Sequence, residues 1–172
     1  LGLLAFDLAG ADAGAVLGTA LALKMIAYVG VAPIAAAFAE SLPRRTMLVG
    51  LDLVRAAVAL ALPFVTAIWE IYLLVFVLQA ASAAFTPTFQ ATIPDVLPDE
   101  KEYTSALSLS RLAYDLENLL SPVLAAALLT VMTYSDLFAG TVLGFVASAA
   151  FVVSVSLPAA ASSEARSIYE RT

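Results

Sequence analysis

Cysteine and histidine are both absent from the 172 residues of this chain. Without them the chain has no disulfide, no thiol nucleophile, no histidine general base and none of the preferred zinc ligands. It also lacks the glycine-rich phosphate-binding loops, the HExxH zinc motif and the GxSxG nucleophile motif. We therefore expect a protein that is not an enzyme, with no cofactor and no metal site in this segment.

Charged residues are scarce as well. They make up 13% of the chain, whereas 62% of it is hydrophobic and the mean hydropathy is +0.97. Soluble domains carry about 25% charged residues, so this composition predicts a polytopic protein in the lipid bilayer. The net charge of -6 argues against a nucleic-acid partner.

Apolar stretches divide the chain into five predicted membrane spans, each near the 20 or so residues that a helix needs to cross a bilayer. The spans lie at about residues 13–39, 46–66, 71–92, 104–131 and 137–157. Residues 1–6 are too short for a span, and we interpret them as the tail of a truncated first transmembrane helix. A loop is expected over residues 93–103 and a cytoplasmic linker over residues 158–172. The predicted fold class is an all-α polytopic membrane helix bundle.

Basic residues indicate how the chain crosses the membrane. Seven of the eight lie in or beside alternate connections between spans: Arg44, Arg45, Arg55, Lys101, Arg111, Arg166 and Arg171. Loops rich in lysine and arginine stay in the cytoplasm. The sequence therefore predicts a chain that starts outside, crosses five times and ends in a cytoplasmic tail.

Two acidic residues interrupt the predicted span at residues 104–131. A carboxylate near the middle of a bilayer costs roughly 2.5–3.5 kcal/mol, so Asp115 and Glu117 need shelter from other helices or from a water-filled cavity. Arg111 lies four residues before Asp115, a spacing that allows an ion pair. Glu117 has no such partner, and a desolvated carboxylate without a cation takes up a proton more readily. Glu117 is the stronger proton or substrate candidate, unless both acids lie near the cytoplasmic end and are merely solvated.

Two further polar residues are candidates for contact with substrate. Lys24 is the only charge in the first predicted span, and it either reaches the outer interface with its long side chain or faces the substrate path. Gln79 begins a polar stripe on the third predicted span, which either binds a neighbouring helix or lines a cavity. The other members of this stripe are Ser82, Thr86 and Gln90.

Charged residues also cluster around the connection that precedes the second predicted span. Glu40, Arg44 and Arg45 lie in a short predicted loop, and Asp52 and Arg55 follow with the three-residue spacing of a helical ion pair. We expect these five residues to form one charge cluster at the membrane interface. The alternative is that each residue only anchors a helix end.

From Ala5 to Leu129 the sequence resembles the major facilitator superfamily, in particular the bacterial efflux branch of enterobactin-exporter-like permeases. The family's cytoplasmic turn after its second helix runs Gly-x-x-x-Asp-Arg-x-Gly-Arg-Arg. The residues in that register here are Ala36, Glu40, Ser41, Pro43, Arg44 and Arg45. The acid and the basic pair match, whereas the glycines and the middle Arg do not. Three further stretches follow in the same order as in this branch of the family: LDLVRA, FTPTFQATIPDVLPDE and SALSLSRLAYDLENLLSP.

The resemblance implies an incomplete six-helix half of a major facilitator fold, with helices two to six present. The missing C-terminal half of the transporter is then a partner, together with the lipid bilayer, protons and a small-molecule substrate. The family's antiporter motif in the fifth helix ends in Gly-Pro, which corresponds here to the helix-bend motif Ser121 and Pro122. The helix that carries Gln79 lines the central cavity in the family, which strengthens Gln79 as a candidate.

The resemblance also implies a function: proton-coupled export of a small organic molecule or drug across the bacterial inner membrane by alternating access. Glu40, Arg44, Arg45, Asp52 and Arg55 would then form a cytoplasmic latch that differs between the two states. One alternative is a nickel-type metal cation exporter of the same superfamily. Another is a membrane scaffold, or truncated half-transporter, that does not transport.

Overall fold

The computed structural model describes residues 1–38, 43–97 and 99–155, and these residues form helices and short turns with no strand among them. The all-α fold class predicted from the sequence is confirmed. The six α-helices of the described ranges are α1 Gly2–Ala9, α2 Ala13–Phe38, α3 Arg44–Ala61, α4 Ile68–Val96, α5 Glu100–Leu128 and α6 Tyr134–Ser154. Short 3₁₀ turns at Gly10–Asp12 and Leu62–Phe64 follow α1 and α3.

Four helical stretches of the described chain are long and apolar enough to cross a membrane. They are Gly2–Ala35, Arg44–Phe64, Ile68–Pro94 and Tyr134–Ser154. Helix α5 is not among them, because Arg111, Asp115 and Glu117 lie in its central turns. The crossing of the bilayer by α5, and with it the division into five spans, stays a prediction.

The connection between α4 and α5 is shorter than the loop predicted over residues 93–103. Helix α4 continues through Pro94 to Val96, and α5 begins at Glu100. Asp99 caps the start of α5, since its side chain accepts hydrogen bonds from the backbone N–H groups of Lys101 and Glu102 at 2.9 and 3.1 Å. Charged residues that the pattern assigned to a loop are therefore part of the first turn of α5.

The helices pack in the order α2, α4, α3, α6, with each neighbour contacting the next. At one end of this row, α1 adds to an apolar core with α2, α3 and α4. The buried side chains of that core are Leu4, Ala5, Val16, Ala20, Val58, Leu62, Ile71 and Val75. Helix α5 contacts α4 only loosely and has no buried residue. The row of four helices is therefore the ordered body to which α5 is attached.

Candidate functional site

An ion pair lies inside the row of helices, on α3. Arg55 donates a hydrogen bond from Nη2 to Oδ1 of Asp52, three residues earlier on the same helix face. The Asp52 side chain is fully buried, and that of Arg55 is 11% exposed. The second carboxylate oxygen of Asp52, Oδ2, is buried and has no hydrogen-bond partner among the described residues. The pairing predicted from the spacing is present, but only one of the two oxygens of Asp52 is satisfied.

Two aromatic rings from neighbouring helices enclose the Arg55 guanidinium. Its central carbon lies 4.0 Å from the ring centroid of Phe85 on α4 and 4.7 Å from that of Phe145 on α6. Cation–π contacts of this kind contribute about 0.5–2 kcal/mol, with the larger values in desolvated sites. Phe89 stacks against Phe85 at a centroid distance of 6.0 Å. Arg55 therefore joins α3, α4 and α6 through one side chain.

The pair lies deep in the bundle rather than at its end. At a rise of 1.5 Å per residue, Arg55 is roughly 16 Å along α3 from Arg44. Phe85 and Phe145 are also roughly 14–16 Å from the last residues of α4 and α6. Half of a hydrocarbon core of about 30 Å is the same distance. The Arg55 cluster, which consists of Asp52, Arg55, Phe85 and Phe145, therefore lies near the middle of a spanning bundle.

Tyr28 on α2 lies within electrostatic range of the Arg55 guanidinium. Tyr28 on α2 interacts electrostatically with Arg55 and also with Tyr114 and Glu117 on α5. Tyr28 is half-buried, whereas Tyr114 and Glu117 are exposed on one face of α5. The predicted proton candidate Glu117 is an exposed residue of α5, and its role in transport stays a prediction.

The other acid of α5 behaves differently from the sequence prediction. Arg111 and Asp115 are both exposed, and no ion pair joins them in the described part of the chain. An ion pair between exposed side chains gains little in solvent, so the four-residue spacing alone does not bring them together. Helix α5 continues through the predicted bend residues Ser121 and Pro122, which are both exposed.

Lys24 and Gln79 are half-buried, and neither makes an ion pair or a side-chain hydrogen bond within residues 1–38, 43–97 and 99–155. Two hydroxyl groups of the polar stripe that begins at Gln79 bind the backbone of their own helix. Ser82 and Thr86 donate to the carbonyl oxygens four residues earlier on α4, at 2.9 and 3.2 Å. These hydroxyls therefore do not link α4 to a neighbour, and roles for Lys24 and Gln79 in transport stay predictions.

Two threonines that the sequence analysis did not single out are buried where α4 meets α3. Thr88 is fully buried and Thr92 is 6% exposed. Each donates to the carbonyl oxygen four residues earlier at 2.8 Å, and the Thr88 hydroxyl lies 3.5 Å from the sulfur of Met47 on α3. Ala81 and Ala84 precede them on the same face and are also buried. This row of small residues is the sequence signal that could have predicted a close helix contact there.

The two arginines at the start of α3 hold the ends of two other helices. Arg44 donates to the backbone carbonyl oxygen of Ala91 on α4, and Arg45 donates to that of Val153 in the last turn of α6. The five residues of the predicted latch thus fall into two groups, because Asp52 and Arg55 lie deep in the bundle. The fifth residue, Glu40, lies outside the described residues.

Acidic residues do not assemble into a metal site in the described chain: no group of three potential ligands occurs there. The described residues instead offer the buried ion pair of Asp52 and Arg55, with the Tyr28 hydroxyl of α2 within electrostatic range of Arg55. Such groups can exchange protons and hydrogen bonds without any cofactor. Phe145 on α6 lies against the Arg55 guanidinium. No local sequence pattern predicts this contact.

The long apolar helices and the charge pair at half depth define a multi-pass integral membrane protein built as a helix bundle. The family model of the Major Facilitator Superfamily matches residues 3–168. The chain therefore belongs to the Major Facilitator Superfamily, as its resemblance to that family predicted.

Two curated relatives extend this assignment. The chain is 26% identical over 152 residues to macrolide efflux protein A of Streptococcus pyogenes. The aligned region covers 82% of this chain and 37% of the relative. It is also 26% identical over 152 residues to macrolide efflux protein A of Enterococcus faecalis, with 83% and 47% covered. The chain thus spans less than half the length of these relatives. No solved structure matches the chain.

Proposed function

We propose that this chain is part of a secondary transporter that exports a small organic molecule from the bacterial cytoplasm by alternating access. The observation that carries the proposal is the placement of charged groups at half depth in an apolar bundle. Ionisable residues are expensive there and mark substrate or proton pathways in transporters. Asp52 and Arg55 are such residues on α3, and Tyr28 on α2 interacts electrostatically with both Arg55 and Glu117, which makes Glu117 a further member of the proposed pathway.

Export of an organic molecule is supported by the two curated relatives, since both carry the name macrolide efflux protein A. We therefore take a drug-like organic molecule as the substrate class. The rest of the transporter, including a second helical half, is the proposed partner of this chain, because alternating access needs two bodies that rock about a central site. We also propose that the protein lies in the bacterial inner membrane with its C-terminal tail in the cytoplasm.

Glu117 is the proposed coupling group, which takes up a proton on one side of the membrane and releases it on the other. It is exposed on α5, it interacts electrostatically with Tyr28, and no cation pairs with it in the described ranges. Asp115 lies two residues away on another face of the same helix, so it serves as a matched control.

Arg44 and Arg45 are the proposed core of the cytoplasmic latch. They tie the ends of α4 and α6 to the start of α3. Arg55 joins the same three helices at half depth. A transition between the two states then breaks the contacts of Arg44 and Arg45 and changes the position of α5, which carries the candidate coupling group Glu117, relative to the row of four helices.

The test uses the complete transporter in proteoliposomes, with a radiolabelled macrolide as the probe and an imposed pH gradient. The wild type is expected to accumulate the macrolide only with the gradient. Glu117→Gln is expected to lower this accumulation by roughly tenfold or more, whereas Asp115→Asn stays within about twofold of the wild type. Equal accumulation by wild type and Glu117→Gln would remove Glu117 from the mechanism. A wild type that ignores the gradient would rule out proton coupling.

A further inference from the structure

Two rows of residues, each with a spacing of four, run along the contact between α2 and α4. The row on α2 begins with Val16 and Ala20, and the row on α4 begins with Ile71 and Val75. All four residues are buried in the same apolar core. Because both rows enter this core near the start of their helices, α2 and α4 pack side by side in the same direction. The next residue of one row is therefore level with the next residue of the other.

The next residue of each row is polar. Lys24 lies one turn beyond Ala20 on α2, and Gln79 lies one turn beyond Val75 on α4. At 1.5 Å per residue, each is roughly 16 Å from the first residue of its helix. Half of a hydrocarbon core of about 30 Å is nearly the same distance. Lys24 and Gln79 are therefore at one depth, near the middle of the bilayer.

The described part of the chain does not satisfy these two side chains. Both are half-buried, and neither makes an ion pair or a side-chain hydrogen bond within the described ranges. An ammonium group is costly in the middle of a bilayer. The four-carbon stem of Lys24 is also much shorter than the distance to the start of α2, so the ammonium does not reach the outer interface. The cost indicates a partner from outside the described residues.

The chemistry of the two groups determines what can bind between them. The ammonium of Lys24 has three N–H donors and no acceptor, whereas the amide of Gln79 has two donors and one acceptor oxygen. The residue that follows Gln79 in its row, Ala83, is small and buried. The site therefore offers many donors beside apolar side chains. It fits an oxygen-rich group, such as a carbonyl, a hydroxyl or a carboxylate, and it repels a second ammonium.

We propose that Lys24 and Gln79 form a binding site for an oxygen-rich part of the exported molecule; this inference rests on the export of an organic molecule proposed above. The ammonium of Lys24 donates a charge-assisted hydrogen bond to one oxygen of the substrate, and the amide of Gln79 donates to another. A macrolide offers such oxygens in its lactone ester and its hydroxyl groups. Binding at this site does not require the proton that Glu117 is proposed to carry.

Affinity tests the site without a pH gradient. Equilibrium dialysis of a radiolabelled macrolide against the complete purified protein gives the dissociation constant. Lys24→Met keeps the length of the side chain but removes its donors, so the dissociation constant is expected to rise by roughly tenfold or more. Gln79→Leu removes a neutral hydrogen bond, and the expected rise is about two- to tenfold.

Each variant has a matched control elsewhere in the chain. Lys101 is exposed at the start of α5, and Gln90 is exposed near the end of α4 on the polar stripe that begins at Gln79. Lys101→Met and Gln90→Leu are both expected to stay within about twofold of the wild-type dissociation constant, because neither removes a contact with the substrate.

A second measurement uses the wild type and does not depend on the folding of a variant. Lys24 and Lys101 are the two lysines of this chain, and mass spectrometry follows the acetylation of each by acetic anhydride. At a macrolide concentration of about ten times the dissociation constant, acetylation of Lys24 is expected to slow by about tenfold, since only the free site reacts. Lys101 should react at an unchanged rate.

Two results would overturn the inference and leave the proposed export intact. One is wild-type affinity in a folded Lys24→Met protein. The other is acetylation of Lys24 at the same rate with and without the macrolide, which is expected if Lys24 pairs instead with an acid from the rest of the transporter. A wild type that binds no macrolide would overturn the proposed substrate class together with this site.

Discussion

Arg45 and Val153 are 108 positions apart in the chain, yet the Arg45 guanidinium donates to the Val153 carbonyl oxygen in the last turn of α6. The final carbonyl groups of a helix have no partner within the helix. A basic side chain at that end both satisfies one of them and offsets the negative end of the helix dipole. Arg44 donates to the carbonyl oxygen of Ala91, five residues before the end of α4, so adjacent residues of α3 bind two different helices.

Replacing Arg45 is expected to loosen the end of α6. Arg45→Gln should lower the stability of the last turn by about 0.5–1 kcal/mol, because an exposed hydrogen bond to a charged donor is lost. Amide hydrogen exchange of Ser154 and Val155 should therefore speed up by about two- to fivefold. Lys101→Gln, which removes an exposed base from α5, is the control and should leave that exchange unchanged. Equal protection in both variants would show that the contact is not stabilising.

Removing only one partner of the buried ion pair is expected to be more damaging than removing both. Arg55→Met leaves the Asp52 carboxylate buried and unpaired, at a cost of about 3–5 kcal/mol. Asp52→Asn/Arg55→Met carries no buried charge and should regain most of that loss. Thermal unfolding of the purified protein measures both variants. Arg111→Met, on the exposed face of α5, serves as the control, and a double variant less stable than Arg55→Met would contradict the expectation.

The start of α5 depends on its cap. Asp99→Ala removes the acceptor for the N–H groups of Lys101 and Glu102, and the loss of such a cap costs about 0.5–2 kcal/mol. Because α5 has little tertiary packing, this local loss should appear as faster amide exchange in its first turn. Asp99→Asn retains an acceptor oxygen and should behave nearly as the wild type. Identical exchange in Asp99→Ala and Asp99→Asn would argue against a capping role.

The contact between α3 and α4 is expected to tolerate a change of polarity at Thr88 but not of volume. The Thr88 hydroxyl is satisfied by its own helix, so Thr88→Val leaves no partner unpaired and should change stability by less than about 1 kcal/mol. Thr88→Phe places a large ring in a fully buried position and should cost about 1–3 kcal/mol or more. Thermal unfolding distinguishes the two. A stable Thr88→Phe protein would mean that the helices separate easily there.

Local patterns predicted most of the fold and part of the site. The composition and the apolar stretches predicted the helices, because a segment inside a bilayer must pair its backbone N–H and C=O groups internally and a helix does so. The spacing of Asp52 and Arg55 gave their ion pair because both lie on one helix. The extra turn of α4 through Pro94 lies in the loop predicted over residues 93–103, and it forms because membrane helices tolerate proline.

The remaining features depend on contacts between helices that a single sequence does not encode locally. Phe145 is placed against Arg55 by the packing of α6 on α3, and no spacing within either helix indicates this. The depth of the ion pair was also missed, because charges near arginines suggested an interface. Thr88 and Thr92 looked like ordinary polar residues, and only the neighbouring alanines reveal that their face of α4 is buried.

Helix α5 has 29 residues and buries none of them against the rest of the described chain. Ordering a segment with few contacts gains little to offset the lost chain entropy. Backbone amides of α5 are therefore expected to open to solvent more often than those of the four packed helices, which makes α5 the least protected long helix of the described chain.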